Sequence, residues 1–265
     1  MTLPQISAFT WDFDVVQGSP LLVFLLSALI FGLSLWLGIL IGRKTPSLHT
    51  NERRDMDLIV GSALTLLGLI IGFSFSLAAG RYDQRKNYEE EEANAIGTEY
   101  LRAGLLPAAD AAELRALLRE YLHDRIRFYA TRSDHELALT NEDTARLQAR
   151  MWAITERDAA RQPNQVNALV ASGMNDVINA QGYTQAAWWY HIPEGAWLLM
   201  ALLAIGCSIL IGFNSNTRRR PILLVMPVLF SAAFYLIADI DAPRHGLIHV
   251  LPQNLIALAQ SLPPP

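Results

Sequence analysis

Four stretches without a charged residue constrain this chain more tightly than any other feature. They cover residues 21–41, 58–79, 196–213 and 222–238, which are 21, 22, 18 and 17 residues long. A helix rises about 1.5 Å per residue, so roughly 20 apolar residues cross a hydrocarbon core about 30 Å thick. The first two stretches reach that length. The last two are shorter and have aromatic residues of the kind that settle at a membrane interface: Trp188, Trp189, Tyr190 and Trp197 around the third, Tyr235 near the end of the fourth. Soluble core helices are rarely apolar on every face. The expected fold class is therefore all-α: an integral membrane protein with four transmembrane helices and a helical extramembrane domain inserted between helices 2 and 3. The expected partition is residues 1–80 for the tail and first hairpin, 81–192 for the domain, 193–240 for the second hairpin and 241–265 for the C-terminal tail.

Composition agrees with this division. The 265 residues are 52% hydrophobic and 17% charged. Thirty of the 46 Lys, Arg, Asp and Glu residues fall between Arg81 and His191, which leaves the rest apolar in blocks. A net charge of −4 excludes the basic footprint of a nucleic-acid binder. Cys207 is the only cysteine, so neither an intramolecular disulfide nor a Cys-x-x-Cys zinc site is available. Residues 1–20 contain Asp12 and Asp14 and no Lys or Arg, so no signal peptide is expected there. The partner that composition implies is the lipid bilayer.

Lys and Arg in short loops set orientation. Arg43, Lys44, Arg53 and Arg54 lie in the 42–57 loop, and Arg218, Arg219 and Arg220 in the 214–220 loop. The N-terminal tail has none and the C-terminal tail only Arg244. Both short loops then face the cytoplasm, and the large domain lies outside it. Arg81, Arg85 and Lys86, directly after the second span, pull the other way.

Between the hairpins no strand pattern stands out. Helix formers without proline run from Arg81 to Leu105, which predicts one long helix over about residues 56–105. Asp110 is a candidate cap for a helix from Ala111, Thr140 with Asp143 resembles a capping box, and Pro163 suits the first position of another helix. Leu114, Leu117, Leu118, Tyr121, Leu122, Arg125 and Tyr129 form one apolar stripe with a polar interruption. The acidic run 89–92 reads as a solvated helix face, or as a ring of negative charge at a pore mouth in a symmetric oligomer.

The chain has no GxSxG, Walker, HExxH or GxGxxG motif, so no enzyme is expected, and no cofactor. His245 and His249 stand four apart, but Pro243 and Gly246 break the helix that would give the spacing meaning, so no metal site is assigned. The second span is more informative. Gly68, Gly72, Ser76 and Gly80 repeat every four residues and form a stripe that lets another helix approach closely. Thr65, Leu69 and Phe73 form a second stripe one residue away. Two explanations stay open: packing inside a single four-helix bundle, or packing between copies with Thr65, Leu69 and Phe73 along an axis.

The run Gly72-Phe73, seven residues, then Arg81-Tyr82 resembles the end of the second transmembrane helix of bestrophins. Asp239, Asp241, Pro243 and Gly246, followed by Asn254-Leu255, is similar to the stretch after their last helix. The strings GFSFSLAAGRYDQRKN, EEANAIGTEYLRA and DIDAPRHG look more closely like bacterial membrane proteins called bestrophin-like. The resemblance implies a pentameric ion channel whose apolar neck maps to Thr65, Leu69 and Phe73. Thr65 is polar where that neck is bulky and apolar, and His245 replaces a Phe. The acidic clasp that binds calcium in animal bestrophins is absent after Gly246, so calcium gating is not expected. The resemblance also puts the large domain in the cytoplasm, opposite to the loop charges.

Overall fold

The computed structural model describes residues 19–45, 50–215 and 220–263. The expectation about a signal peptide therefore falls almost wholly outside the described residues. Every described element is helical: α1 Pro20–Lys44, α2 Thr50–Arg102, α3 Ala108–Ala130, α4 Asp134–Arg161, α5 Gln165–Trp189, α6 Glu194–Asn214, the single turn α7 Arg220–Leu223, α8 Val225–Asp241 and α9 Gln253–Ser261. A short 3₁₀ turn, Ala103–Leu105, follows α2. Among the described residues, three segments are long and apolar enough to cross a membrane: Pro20–Lys44, Asn51–Leu105 and Gln165–Asn214. The fourth apolar stretch runs from the end of α7 through most of α8, which is 17 residues long.

The chain divides into two compact units. One comprises residues up to Gly80 with His191–His249, the other Arg81–Tyr190 with residues from Val250 onward.

In the first unit α1 opens on Pro20, whose fixed φ suits a first helical position, and closes on Arg43 and Lys44, whose charge complements the helix dipole. It packs on α6 and α8. The approach to α6 is very close. A Cβ on Gly38 would collide with the Ile209 backbone, one on Gly42 would lie 2.6 Å from the Phe213 carbonyl oxygen, and one on Gly212 would collide with the Leu35 carbonyl. Small residues here let two backbones meet where lipid offers no hydrophobic drive for association. Against α8, the Phe31 ring meets Phe234 edge-on at 5.3 Å and Phe230 at 6.2 Å. Ser34, Ser208 and Ser231 each donate to the carbonyl four residues back, at 2.8, 2.7 and 2.8 Å. That satisfies their hydroxyls where no water is available.

The second unit buries the predicted stripe of α3. Leu114, Leu118, Tyr121 and Leu122 are at most 1% exposed and pack with Ile96, Leu147, Met151, Val170 and Met174. Local signals misled at several boundaries. The long helix starts at Thr50 rather than near residue 56 and ends at Arg102. α3 begins at Ala108 with Pro107 as cap, so Asp110 lies in its first turn and accepts from Arg157 and Arg161 of α4. Ser133 holds the N-cap position of α4 without a side-chain bond, and Thr140 sits in the helix, donating to the Glu136 carbonyl. α5 starts at Gln165 because the Asn164 side chain accepts from the Asn167 N–H at 2.9 Å, two residues after Pro163. Trp188, expected at an interface, instead packs edge-on against Phe128 and Tyr129 at 5.1 and 5.5 Å.

Candidate functional site

The second apolar stretch is the least buried of the three long apolar segments. Only 11% of its most apolar window is covered by the chain itself, against 28% for the windows in Pro20–Lys44 and Gln165–Asn214. Beyond their own stretch of helix backbone, Gly68, Gly72 and Gly80 have no atom of the described residues within 4 Å of where a Cβ would stand, and Ser76 is exposed. Intrachain packing therefore finds no partner at these glycines. The close approach inside the chain occurs instead at Gly38, Gly42 and Gly212. Gly38 and Gly42, four apart in the first span, carried that signal in the sequence.

Thr65, Leu69 and Phe73 line up one residue from the glycines and are also uncovered. Leu69 is 53% and Phe73 59% exposed. Thr65 donates its hydroxyl to the Gly61 carbonyl at 2.9 Å, so its polarity is spent on its own helix. The described residues thus leave two adjacent faces of one helix, one of small residues and one holding two large apolar side chains, for something outside the single chain.

The acidic pair in the last turn of α8 has a structural explanation. Asp239 and Asp241 are 2% and 3% exposed. The Asp239 carboxylate accepts from the N–H groups of Leu247 and Ile248, at 2.7 and 2.9 Å. Asp241 accepts from the Ile192 N–H at 3.0 and 3.2 Å and lies 3.7 Å from the His191 ring nitrogen. A Cβ on Gly246 would collide with the Asp239 carbonyl, so the chain closes over the helix end only with glycine there. Pro243 lies within this turn. The two carboxylates hold backbone: one fixes the turn after α8, the other the start of the segment before α6. Among the described residues no group of three His, Cys, Asp or Glu side chains is placed to hold a metal.

In the second unit, Arg85, Glu89, Glu92 and Glu99 fall on one face of α2 and are each at most 2% exposed. The acidic run is thus not simply a solvated face: Glu90 and Glu91 point out, Glu89 and Glu92 point in. Arg85 donates to the carbonyls of Ala187 and Tyr190, both at 3.1 Å, and so caps the C-terminal end of α5. Glu89 accepts from the N–H groups of Asn254 and Leu255, at 2.9 and 3.0 Å, and from the Asn254 amide at 2.6 Å. A carboxylate at the first turn of α9 complements the dipole there and ties the chain's last helix to α2. Asn254-Leu255 and the stretch after the second span, far apart in sequence, meet at this contact. Tyr82 packs against the same core, and Arg81 is half-buried.

Glu92 and Arg125 form a buried ion pair, both side chains 0% exposed. Thr184 donates to Glu92 at 3.1 Å and Tyr129 at 3.4 Å, and the guanidinium stacks 4.3 Å from the Phe128 ring. Burial pulls Arg125 toward losing its proton, and the Glu92 carboxylate more than offsets this. Burial first, then Glu92, pushes the Tyr129 hydroxyl far above its ordinary range, so it stays a donor. The polar interruption seen in the α3 stripe is one half of this pair. Its other half could have been found from the spacing of Arg85, Glu89, Glu92 and Glu99 alongside Ala93, Ile96 and Tyr100.

Residues 21–255 match the model of the Bestrophin-like domain family. A crystal structure of a bacterial bestrophin homolog from Klebsiella pneumoniae is similar, with a TM-score of 0.60 at 14% identity over 92% of this chain and 99% of that one. A tryptophan-to-alanine variant of the homolog gives a TM-score of 0.61 at 13% identity, over 90% and 97%. A membrane protein with a glycine-to-alanine substitution gives 0.60 at 14%, over 92% and 99%. No curated protein matches the sequence. At such identities the likeness to these structures is one of fold.

Proposed function

Because the chain belongs to the Bestrophin-like family, we propose that it is a homo-oligomeric channel of the inner membrane, passing a small inorganic ion along an axis lined by the second span. The observation that carries this reading is the bareness of that span: its glycine stripe and its Leu69–Phe73 face lack partners within the chain. A helix of this kind needs neighbours, and cyclic symmetry supplies them by repeating one interface around a closed ring. Gly68, Gly72, Ser76 and Gly80 then meet the adjacent copy, while Thr65, Leu69 and Phe73 face the axis as an apolar constriction. Five copies follow from the resemblance.

In this reading α8 is the fourth span. Its 17 residues rise about 26 Å, and the preceding turn α7 brings the length close to the hydrocarbon thickness. Residues 81–192 form the extramembrane domain, and the loop charges put it outside the cytoplasm. Ser133, exposed at the start of α4, tests the orientation. A Ser133→Cys chain should react with a membrane-impermeant thiol reagent in cells whose outer barrier alone is permeabilised. Labelling only after the inner membrane is lysed would reverse the assignment. Conduction itself is tested by reconstitution: vesicles containing the protein should leak a small inorganic ion, and vesicles that stay tight to every ion tried would remove the channel in favour of a membrane-anchored sensor or scaffold whose helical domain binds a partner.

A further inference from the structure

Glu99 differs from the other acids on its face of α2. Glu89 caps a helix and Glu92 pairs with Arg125, but neither oxygen of Glu99 has a hydrogen-bond partner, although the residue is 0% exposed. It is held against Gly173 of α5. A Cβ on Gly173 would overlap Glu99 Oε2 and lie 2.5 Å from Arg102 Nη1, so the carboxyl occupies the room a side chain would need. The charged groups around it are few. Arg102, on α2 itself, stands 3.8 Å from Asp176 of α5. Asp176 is the acid that α5 brings, and its side chain is 59% exposed. From α3, Arg115 and Arg119 are engaged by Tyr100, through its carbonyl at 3.1 Å and its hydroxyl at 2.6 Å.

A carboxylate in water-free surroundings without a donor is strongly unfavourable, and a proton is the smallest ligand that removes the charge without parting the helices. We propose that Glu99 is a proton-binding site of the helical unit: with the proton bound, α2 closes on Gly173 of α5, and releasing it loosens that contact. The inference goes beyond the channel reading and stands whether or not the chain conducts, because every residue involved lies in the second unit. Burial, opposed by Arg102 and reinforced by Asp176, pushes the carboxyl up from 4.5 to about 8.

The sign of the pH dependence follows. The folded chain keeps a proton that the unfolded chain has released between these two values, so Glu99 lowers stability progressively as pH rises from about 4.5 to about 8, with no further loss above. The test is the melting of the full chain in detergent, wild type against Glu99→Gln, from about pH 5 to about pH 9. The two should coincide at the acid end, and wild type should melt progressively lower than the variant toward the alkaline end. Parallel curves with a constant offset would overturn the proposal. A second reading is spectroscopic: infrared spectra of protein carrying carbon-13 glutamate should show a protonated carboxyl band near pH 6 that is gone by about pH 9. Absence of the band near pH 6, or its persistence in a folded Glu99→Gln chain, would also overturn it.

Discussion

Phe73→Ala turns the reconstituted protein into a leakier one. The ring is 59% exposed in the single chain, so its removal opens no large cavity there. A Phe→Ala change in a packed core costs about 3–5 kcal/mol, and a residue this uncovered should cost a fraction of that. On an axis between copies the same ring makes wetting unfavourable, because an apolar surface cannot replace an ion's hydration shell. Each 1.4 kcal/mol or so taken off such a barrier is worth about tenfold in rate, so flux should rise by about tenfold or more while the assembly stays folded. Leu69→Ala, one turn earlier on the same line, should act in the same direction. Leu66→Ala and Ile70→Ala, on other faces, should leave flux unchanged. A folded Phe73→Ala protein with wild-type flux in vesicles that do conduct would take Phe73 out of the path.

Glu92→Ala should cost the helical unit about 3–5 kcal/mol, because it leaves the Arg125 guanidinium charged, 0% exposed and without its carboxylate. Thr184 and Tyr129 lose their acceptor at the same time. Replacing both partners, Glu92→Met with Arg125→Met, should cost much less than Glu92→Ala alone, since paired charges give back little over an apolar fill of similar volume. Denaturant unfolding of the three chains reads this directly. A single variant as stable as wild type would mean that water reaches Arg125 and that the pair is not buried in solution.

These two residues mark how far the sequence could be read. Phe73 was visible because periodicity at four residues is visible: a stripe of Gly68, Gly72, Ser76 and Gly80 declares a face, and the neighbouring line follows. The helical class was equally plain, since long uncharged stretches have few alternatives in lipid. Glu92 was hidden because four consecutive acids look solvated, and only the turn of the helix decides which two point inward. The pairing of Glu89 with Asn254 and Leu255 joins residues 165 apart, beyond any local pattern. Helix starts failed for a related reason. Asp110 and Thr140 are good caps by type, yet Arg157 and Arg127 draw their side chains into tertiary bonds, and Pro107 and Ser133 take the cap positions instead. Gly38 and Gly212 were legible only as small residues, because which partner helix they meet depends on the assembled unit.

The account turns on whether copies of the chain assemble through the second span. The measurement that tests it is the mass of the purified particle in mild detergent, taken for wild type and for Gly72→Leu side by side. The chain weighs 29.5 kDa. Wild type should run as a closed multiple of that mass, five copies by resemblance. Gly72→Leu adds a branched side chain to a face that is empty within the chain, so the folded protomer should survive while the particle becomes smaller. A wild-type monomer, or a Gly72→Leu particle of unchanged mass and stability, would contradict the account.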